Sequence, residues 1–367
     1  MKPLLILLLL LALTACTQPT VTPAPTATIS PPSTTPSTTL TPTPVPPTAT
    51  IELQVSPTPF AEYQLTYTQP HFDDQQWVDY DRLYAVDIGC LSSEKPCLGE
   101  PYLLLETWAE NWTHDKPVGS ILSYSWSPDG TKLALSAKGV DGPGDIFVLD
   151  MSSQIWRNLT RSPEGEYHPT WSPDGQSIAF IVRPQPPPGG NNWVSVVAMH
   201  GKVTRLFELD QDLGCLAWMP DGDELMFIFS DGNDYWQLGR ANMDGSNIQQ
   251  ISFLEMGYDF SCDFVSPFMI FQREVSEPNS GDHHYGLFWL NLNTNEEGQI
   301  TDGISSGPLL PALAPSGEWI AFLSDKDASR WMTNIYLVSF DGLQVIQVTQ
   351  GGGYIRELPG WRVLPIP

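Results

Sequence analysis

Basic residues are scarce in this chain of 367 residues, which has 17 Lys and Arg against 42 Asp and Glu and a formal net charge of −25. A surface of that sign repels phosphate backbones and anionic lipid headgroups, which argues against nucleic acid as a partner. Long apolar runs are also scarce. Beyond the N-terminal segment no stretch of 18 apolar residues occurs, so the sequence predicts no membrane-spanning helix there.

The N-terminal segment MKPLLILLLLLALTAC has one Lys, then an apolar run, then Leu13-Thr14-Ala15-Cys16. The run is too short to span a membrane and has the length of a signal-peptide core. Its last four residues resemble a bacterial lipoprotein signal, which implies a signal peptide over residues 1–15 and lipidation of Cys16. An ordinary secretory signal with an incidental Cys is the alternative. We expect a protein anchored by lipid on the extracytoplasmic side of a bacterial cell envelope.

Charge is almost absent from residues 17–59, where Glu52 is the only charged side chain among 12 Pro and 14 Thr. Such a segment cannot bury enough apolar surface to offset the entropy of ordering it, and its prolines favour extended states. The sequence therefore predicts a disordered stalk over residues 16–59, including the lipidated Cys, and one folded domain over residues 60–367.

A hairpin motif recurs through the folded domain, and its best copy is YHPTWSPDGQSIAFIV. Successive motif prolines are separated by 45, 47, 47 and 48 residues. They are Pro128, Pro173, Pro220, Pro267 and Pro315. Pro presets φ for a turn, Asp tolerates the next position and Gly supplies positive φ at the exit. A period in the forties built from strand-like units is typical of a propeller.

Each hairpin is followed by a third strand and, in most copies, by a fourth, so that four strands form one blade. Five complete units span residues 120–350, and the two chain ends supply a sixth. The segment RLYAVDI (82–88) reads as a third strand with no hairpin before it, in a blade that begins near Trp77. The segment LPGWRVLP (358–365) reads as a first strand, with Trp361 in the motif register. We predict an all-β, six-bladed propeller that is closed by pairing the C-terminal strand with the N-terminal blade, which removes the sheet edges.

The stretch DIFVLDMSSQIWRNLTRSPEGEYHPTWSPDGQSIAFI resembles the WD-like repeat of TolB-type six-bladed propellers, in which W-S-P-D-G follows an L-T strand end. The resemblance covers roughly residues 80–365. It implies the fold but not one function, because the family includes periplasmic scaffold proteins, propeller domains of serine peptidases and sugar-acting lyases.

Four further cysteines would lie in an oxidising compartment, where an even number favours disulfides over free thiols. Cys90 and Cys97 bracket a short loop that one disulfide could close. Cys215 and Cys262 each precede a motif proline by five residues, so they hold equivalent positions on the inner strands of adjacent blades. A disulfide there needs Cα atoms about 4.4–6.8 Å apart, which is plausible near the propeller axis. Free buried thiols are the alternative for the second pair.

Two short motifs carry chemistry in other proteins. GISSG (303–307) matches G-x-S-x-G, but a nucleophile elbow needs a strand before it and a helix after it, and here Pro308 follows. GDHHYG offers His283 and His284, but adjacent residues of an extended chain point to opposite sides. We therefore predict a polar loop there, and no catalytic residue, metal site or cofactor.

Long loops between the second and third strands of three blades predict a recognition surface. They cover residues 183–192, 273–284 and 325–334, which topology places on one face of the disc. The Arg330-Trp331 pair is of a type favoured at binding hot spots. The alternative is that these loops vary in length on a monomer without any binding role. His168 shares the inner-strand position of the second cysteine pair and either faces the channel or is a hydrogen-bonded structural residue.

The function predicted from these features is a non-catalytic scaffold that binds an envelope or extracellular protein or a glycan. The alternatives are an enzyme that acts on carbohydrate in the propeller channel, as a lyase or a hydrolase, and a purely structural envelope protein. The membrane would be contacted only through the N-terminal lipid, and we expect a monomer.

Overall fold

The structure is a computed structural model of the chain. It describes residues 63–73, 76–89, 96–99, 101–106, 117, 119–138, 143–185, 191–230, 236–251, 264–265, 267–275, 284–307, 309–326, 333–350, 355 and 360–364. Every regular element among these residues is a β-strand. Within this part of the chain, no helix has the length and hydropathy to cross a bilayer. The predicted signal peptide and stalk lie outside the described residues.

The described residues form twenty-five strands, which are numbered in chain order. They are β1 (Tyr63–Asp73), β2 (Gln76–Gly89), β3 (Cys97–Leu98), β4 (Tyr102–Glu106), β5 (Ile121–Trp126), β6 (Lys132–Ala137), β7 (Asp145–Asp150), β8 (Ile155–Asn158), β9 (Gly165–Trp171), β10 (Ser177–Arg183), β11 (Asn192–Ala198), β12 (Val203–Leu209), β13 (Leu213–Trp218), β14 (Glu224–Ser230), β15 (Trp236–Asn242), β16 (Gln249–Gln250), β17 (Phe264–Val265), β18 (Phe268–Glu274), β19 (Tyr285–Asn291), β20 (Glu297–Gln299), β21 (Ala312–Leu313), β22 (Trp319–Ser324), β23 (Asn334–Ser339), β24 (Val345–Gln347) and β25 (Gly360–Val363).

These strands form six antiparallel sheets, which are the blades of a propeller. Blades 1 to 5 are β5–β8, β9–β12, β13–β16, β17–β20 and β21–β24, and each runs from an inner strand to an outer strand in chain order. Blade 6 has the order β25, β1, β2, β3, with β4 also paired to β2. Apolar side chains from facing sheets pack between the blades, such as Phe207 of blade 2 against Phe227 of blade 3. The predicted all-β, six-bladed fold is confirmed.

The motif turn is held by its own polar side chains. In blade 1, Ser127 Oγ donates to Asp129 Oδ1 at 2.6 Å and accepts from the Lys132 amide at 2.9 Å. Gly130 has φ of 65°, which a residue with a Cβ adopts only at a cost, and its amide donates to the Ser127 carbonyl at 2.8 Å. This is the turn that the motif predicts, and Ser172 and Asp174 repeat the Ser-to-Asp bond in blade 2.

The motif tryptophans connect neighbouring blades, which explains why this residue recurs. Each indole Nε1–H donates to an oxygen of an adjacent blade. The pairs are Trp126 with Thr66 Oγ1 at 2.9 Å, Trp171 with the Ser125 carbonyl at 3.2 Å, Trp218 with the Thr170 carbonyl at 3.0 Å and Trp361 with the Ala312 carbonyl at 2.9 Å. Each indole ring thus packs between two blades while its N–H group is hydrogen-bonded.

Strand β25 pairs with β1 in antiparallel register, from Tyr63 opposite Val363 to Thr66 opposite Gly360. It also contacts β5 of blade 1 and β21 of blade 5. Blade 6 is therefore made from both ends of the described chain. The sequence placed the start of this blade near Trp77, and that boundary is wrong, because β1 begins at Tyr63 and supplies the second strand. The segment RLYAVDI lies in β2, the third strand, as predicted.

Arg362 is a buried side-chain link at this junction, with 9% of its surface exposed. Its Nε donates to the Gly130 carbonyl at 2.8 Å and its Nη1 donates to Gln64 Oε1 at 2.7 Å. Its guanidinium also lies 4.6 Å from the centre of the Trp126 ring. One side chain of β25 thus contacts both the second strand of its own blade and the motif turn of blade 1.

Candidate functional site

Several residues that the sequence singled out lie outside the described residues. They are Cys16, Cys90, Cys262, His283, Arg330 and Trp331. The predicted lipidation and the predicted Arg-Trp recognition pair therefore stay predictions. Of the other predicted site residues, His168, Cys97 and Cys215 are described.

Cys97 and Cys215 each take part in a disulfide. Cys97 lies on β3 opposite Gly89, next to the position that Cys90 occupies in the sequence. Cys215 lies on β13, the inner strand of blade 3, as its predicted ring position requires. The predicted partners are outside the described residues, so the pairings of Cys90 with Cys97 and of Cys215 with Cys262 remain predictions.

His168 lies in a β-bulge of β9, where the register against β10 shifts between Ala179 and Ile181. Its φ is 53°, a conformation that non-glycine residues rarely adopt outside such irregularities. Its backbone amide donates to Ser123 Oγ at 2.8 Å. Since Ser123 precedes its motif proline by the same five residues, equivalent inner-strand positions of blades 1 and 2 are in direct contact.

The side chains of Tyr167, His168 and Arg183 form a group that we call the axial cluster. The Arg183 guanidinium lies 4.9 Å from the centre of the Tyr167 ring, and its Nη2 donates to the Leu213 carbonyl at 2.9 Å. Burial and the Arg183 charge lower the pKa of His168 to about 4, so the imidazole is neutral at pH 7. The cluster lies where β10 ends and β13 begins, on the face that carries the long loops between second and third strands.

A cavity of about 370 Å³ opens on the same face, between blades 4 and 5. Its lining combines the residue before β19, the link from β20 to β21 and the two residues after β22. The lining residues are His284, Gly303, Ile304, Ser305, Ser306, Asp325 and Lys326. We call this cavity the seam pocket. Two of the three predicted recognition loops, 273–284 and 325–334, end or begin at its wall.

Asp325 organises the wall of the seam pocket. The Ser305 hydroxyl donates to Asp325 Oδ1 at 2.9 Å, and the Ser306 amide donates to the same oxygen at 3.0 Å. The Ser306 hydroxyl donates to Asp325 Oδ2. Burial raises the pKa of Asp325, but the hydrogen bonds from Ser306 and Ser305 outweigh it and hold that pKa below its usual value. At neutral pH the pocket therefore contains an ionised carboxylate in a fixed orientation.

A cation and an imidazole also belong to the pocket lining. Lys326 follows Asp325 in the chain, and its ammonium lies 4.9 Å from the centre of the Tyr336 ring. His284, just before β19, also lines the pocket. The pocket lining thus includes both charge signs and hydroxyl groups, which suits a polar ligand that can donate and accept hydrogen bonds.

The sequence treated GISSG and GDHHYG as separate, inert loops, and the structure brings Ser305 and His284 into one pocket. Ser305 forms an isolated bridge with Tyr285, whose amide donates to the Ser305 carbonyl at 2.9 Å. The link after blade 4 is therefore fixed against the start of β19. The pocket could have been predicted from blade topology, which places all three lining segments at the same end of their blades. No group of three His, Cys, Asp or Glu residues that could hold a metal exists among the described residues.

A second polar group is buried where blades 1 and 2 meet. Glu166 on β9 and Asp145 on β7 are 3% and 2% exposed. The Ile146 amide donates to Glu166 Oε2 at 3.2 Å, the Thr160 hydroxyl donates to the same oxygen, and Asn158 Nδ2 donates to Asp145 Oδ2 at 2.7 Å. Burial raises the pKa of Glu166 to about 8, and the charge of Asp145 adds to this effect while the Thr160 hydrogen bond opposes it.

Comparison with known proteins identifies the repeat. Residues 105–253 match the family described as TolB beta propeller domain. TolB from Acinetobacter baumannii superposes with a TM-score of 0.58 at 18% identity, over 82% of this chain and 66% of that one. At this identity the superposition shows the fold alone. The resemblance to TolB-type propellers that the sequence predicts is confirmed.

Two curated relatives are peptidases by name. Dipeptidyl-peptidase 5 of Porphyromonas gingivalis is 28% identical over 124 residues, which are 31% of this chain and 18% of that protein. The uncharacterized peptidase YuxL of Bacillus subtilis is 34% identical over 71 residues, which are 19% of this chain and 10% of that protein. This chain therefore spans less than a fifth of the length of either relative. The prediction that the protein is not an enzyme is contradicted, because the segments that match this chain belong to proteins named as peptidases.

Proposed function

We propose that this chain, whose residues 105–253 carry a TolB beta propeller domain, binds a partner protein or a glycan at the seam pocket. The observation that carries the proposal is the cavity of about 370 Å³ on the face with the long loops. Binding and catalytic residues of scaffolds such as propellers concentrate on loops held by a rigid core. The strands that hold this pocket, β19 and β22, are middle strands of blades 4 and 5.

The chemistry of the pocket defines what the ligand must offer. The carboxylate of Asp325 accepts hydrogen bonds from hydroxyl, amide or ammonium groups, and the ammonium of Lys326 donates to an oxygen atom. A chain with a net charge of −25 favours neutral or cationic ligands over polyanions. Sugar hydroxyls and peptide groups both meet these conditions.

The expected test is a pull-down from envelope extract with the full-length chain, tagged within residues 17–59. Asp325→Ala should reduce capture at least about tenfold, because it removes the charge and releases both serine hydroxyls. Captured proteins and glycans are identified separately. The melting temperature of the variant is measured in parallel.

Asp341→Ala is the matched control. Asp341 has the same kind of turn contacts, since it accepts from the Ser339 hydroxyl at 2.6 Å and from the Leu343 amide at 3.0 Å. It lies in the same blade but at the opposite end of β23. Equal loss of capture in both variants, or full capture by Asp325→Ala, would contradict binding at the seam pocket.

The proposed location is the extracytoplasmic side of the cell envelope, with Cys16 as the lipid anchor and residues 16–59 as the stalk. The match to TolB propellers supports an envelope location. Cys16→Ser is expected to release the protein from membranes or to stall its processing, because one thiol is the acceptor of the lipid. Fractionation and intact mass of the wild-type and variant proteins check this. Unchanged membrane retention with unchanged mass would refute the anchor.

A second candidate function is hydrolysis of peptides. It is favoured by the two peptidase relatives and by Ser305, His284 and Asp325 lining one pocket. In that case, chromogenic dipeptidyl substrates should be cleaved by the full-length chain, and Ser305→Ala should abolish turnover while Asp341→Ala leaves it intact. Absence of turnover in the wild-type protein would remove this candidate.

A further inference from the structure

Arg183 of the axial cluster has no acidic partner among the residues that the structure describes. This is unexpected in a chain with 42 acidic and 17 basic side chains. Arg362 is held by neutral groups, but three other described arginines on the blades form ion pairs. These pairs are Arg205 with Glu208, Arg240 with Glu224 and Arg273 with Glu297. Burial of an unpaired charge is costly, and Arg183 has one hydrogen bond to offset this cost where Arg362 has two.

The Arg183 guanidinium is nevertheless held in place. The Tyr167 ring centre lies 4.9 Å from it, and the Leu213 carbonyl accepts from Nη2 at 2.9 Å. Of its five N–H donors, the Nε–H makes no hydrogen bond within the described part of the protein. Glu164 is close in the chain, but its Oε2 accepts from the Gln185 amide at 2.6 Å. The Nε atom is itself buried, so the Nη groups are the donors that Arg183 can offer to a ligand, and no described side chain neutralises its charge.

His168 adds a donor and an acceptor beside this cation without adding charge. Its backbone is fixed by the bond to Ser123 Oγ at 2.8 Å, and its imidazole makes no hydrogen bond to any described residue. Burial and the Arg183 charge keep the imidazole neutral at pH 7, since they lower its pKa to about 4. A ligand at this point therefore meets one full positive charge and one neutral ring.

We propose that the axial cluster, made of Tyr167, His168 and Arg183, is a second binding site that takes a carboxylate group of a ligand. A planar guanidinium matches the planar, singly charged carboxylate by bidentate hydrogen bonds. A phosphate dianion fits less well, because a single cation would leave one of its charges unpaired in a strongly acidic protein. The site is separate from the seam pocket, and the proposal does not depend on that pocket.

The test is an NMR titration of the His168 imidazole in the full-length protein, with the signal assigned by His168→Gln. The probe is acetyl-Ala-Ala with a free carboxylate, and the comparison probe is the same dipeptide as its amide. A bound carboxylate offsets the Arg183 charge, so we expect the free acid to raise the pKa of His168 by at least about half a unit. The amide should leave it unchanged. At pH 8, where inorganic phosphate is mainly the dianion, phosphate should bind at least about tenfold more weakly than the acid.

Arg183→Gln should abolish the response to the free acid, and Glu224→Gln on another blade should not. Succinate as a third probe separates the two sources of a carboxylate: a response to the dipeptide but not to succinate assigns the site to a chain terminus. A purely structural Arg183 predicts a lower melting temperature in Arg183→Gln and no probe response in the wild-type protein, which overturns the proposal. Since the acid and amide probes are compared on the wild-type chain, a variant that fails to fold leaves that comparison intact.

Discussion

Truncation after Gly353 is expected to lower the melting temperature by about 10 to 20 °C or to leave the protein aggregated. The truncation removes β25, which is the inner strand of blade 6 and pairs with β1 from Tyr63 to Thr66. It also removes the Trp361 hydrogen bond to blade 5 and the Arg362 bonds to Gly130 and Gln64. Loss of a paired strand exposes a sheet edge and the apolar faces on both sides of it.

A chain truncated after Leu364 is the control, because it keeps β25 and all of these contacts. Its melting temperature should lie within about 2 °C of the wild-type value. Differential scanning calorimetry and light scattering on both truncated chains check the result. A wild-type melting curve for the chain that ends at Gly353 would show that the propeller does not depend on β25 for closure.

Glu166→Gln is expected to stabilise the protein by about 3 to 5 kcal/mol at pH 8 and to have little effect at pH 4. Glu166 is 3% exposed and its pKa in the folded protein is raised to about 8, chiefly by burial. In the unfolded chain the carboxyl ionises near its ordinary value, about 4.3. Between these two values the unfolded state binds fewer protons, so the free energy of unfolding falls as pH rises through that window.

Glutamine has the shape of the protonated carboxyl and cannot ionise, so the variant should show a flatter pH profile between pH 5 and pH 8. Urea unfolding at intervals across this range measures it. Glu224→Gln is the control, since Glu224 pairs with Arg240 at 3.8 Å at the surface and such pairs contribute about 0 to 1 kcal/mol. Destabilisation by Glu166→Gln at pH 8 would mean that the buried carboxylate is ionised and paired.

The repeat was predictable because its chemistry is local. The turn that Ser127, Asp129 and Gly130 form depends on residues within four positions of one another, and most copies repeat it at a nearly fixed interval. Strand β1 was not predicted, because it lacks this local motif. The segment Tyr63–Asp73 has no motif turn before it and contains Pro70, so nothing local marks it as the second strand of a blade.

The seam pocket could not be predicted from local patterns, because its residues come from two blades. Asp325 follows Ser305 by 20 residues, and the hydrogen bond between them exists only once blade 5 packs on blade 4. The face on which the pocket lies was predictable, since the topology of a blade places all loops between second and third strands at one end. That no described carboxylate pairs with Arg183 was likewise not predictable, because it depends on where acidic side chains lie in space and not on their order in the sequence.

Hydrogen exchange of the full-length chain, with and without the ligand recovered in the pull-down, tests the central claim most directly. Binding at the seam pocket predicts slower exchange at residues 303–306 and 325–326, and unchanged exchange at residues 339–343 at the opposite end of blade 5. Slower exchange at residues 339–343 with no change at residues 303–306 and 325–326 would contradict the claim that the seam pocket is the binding site.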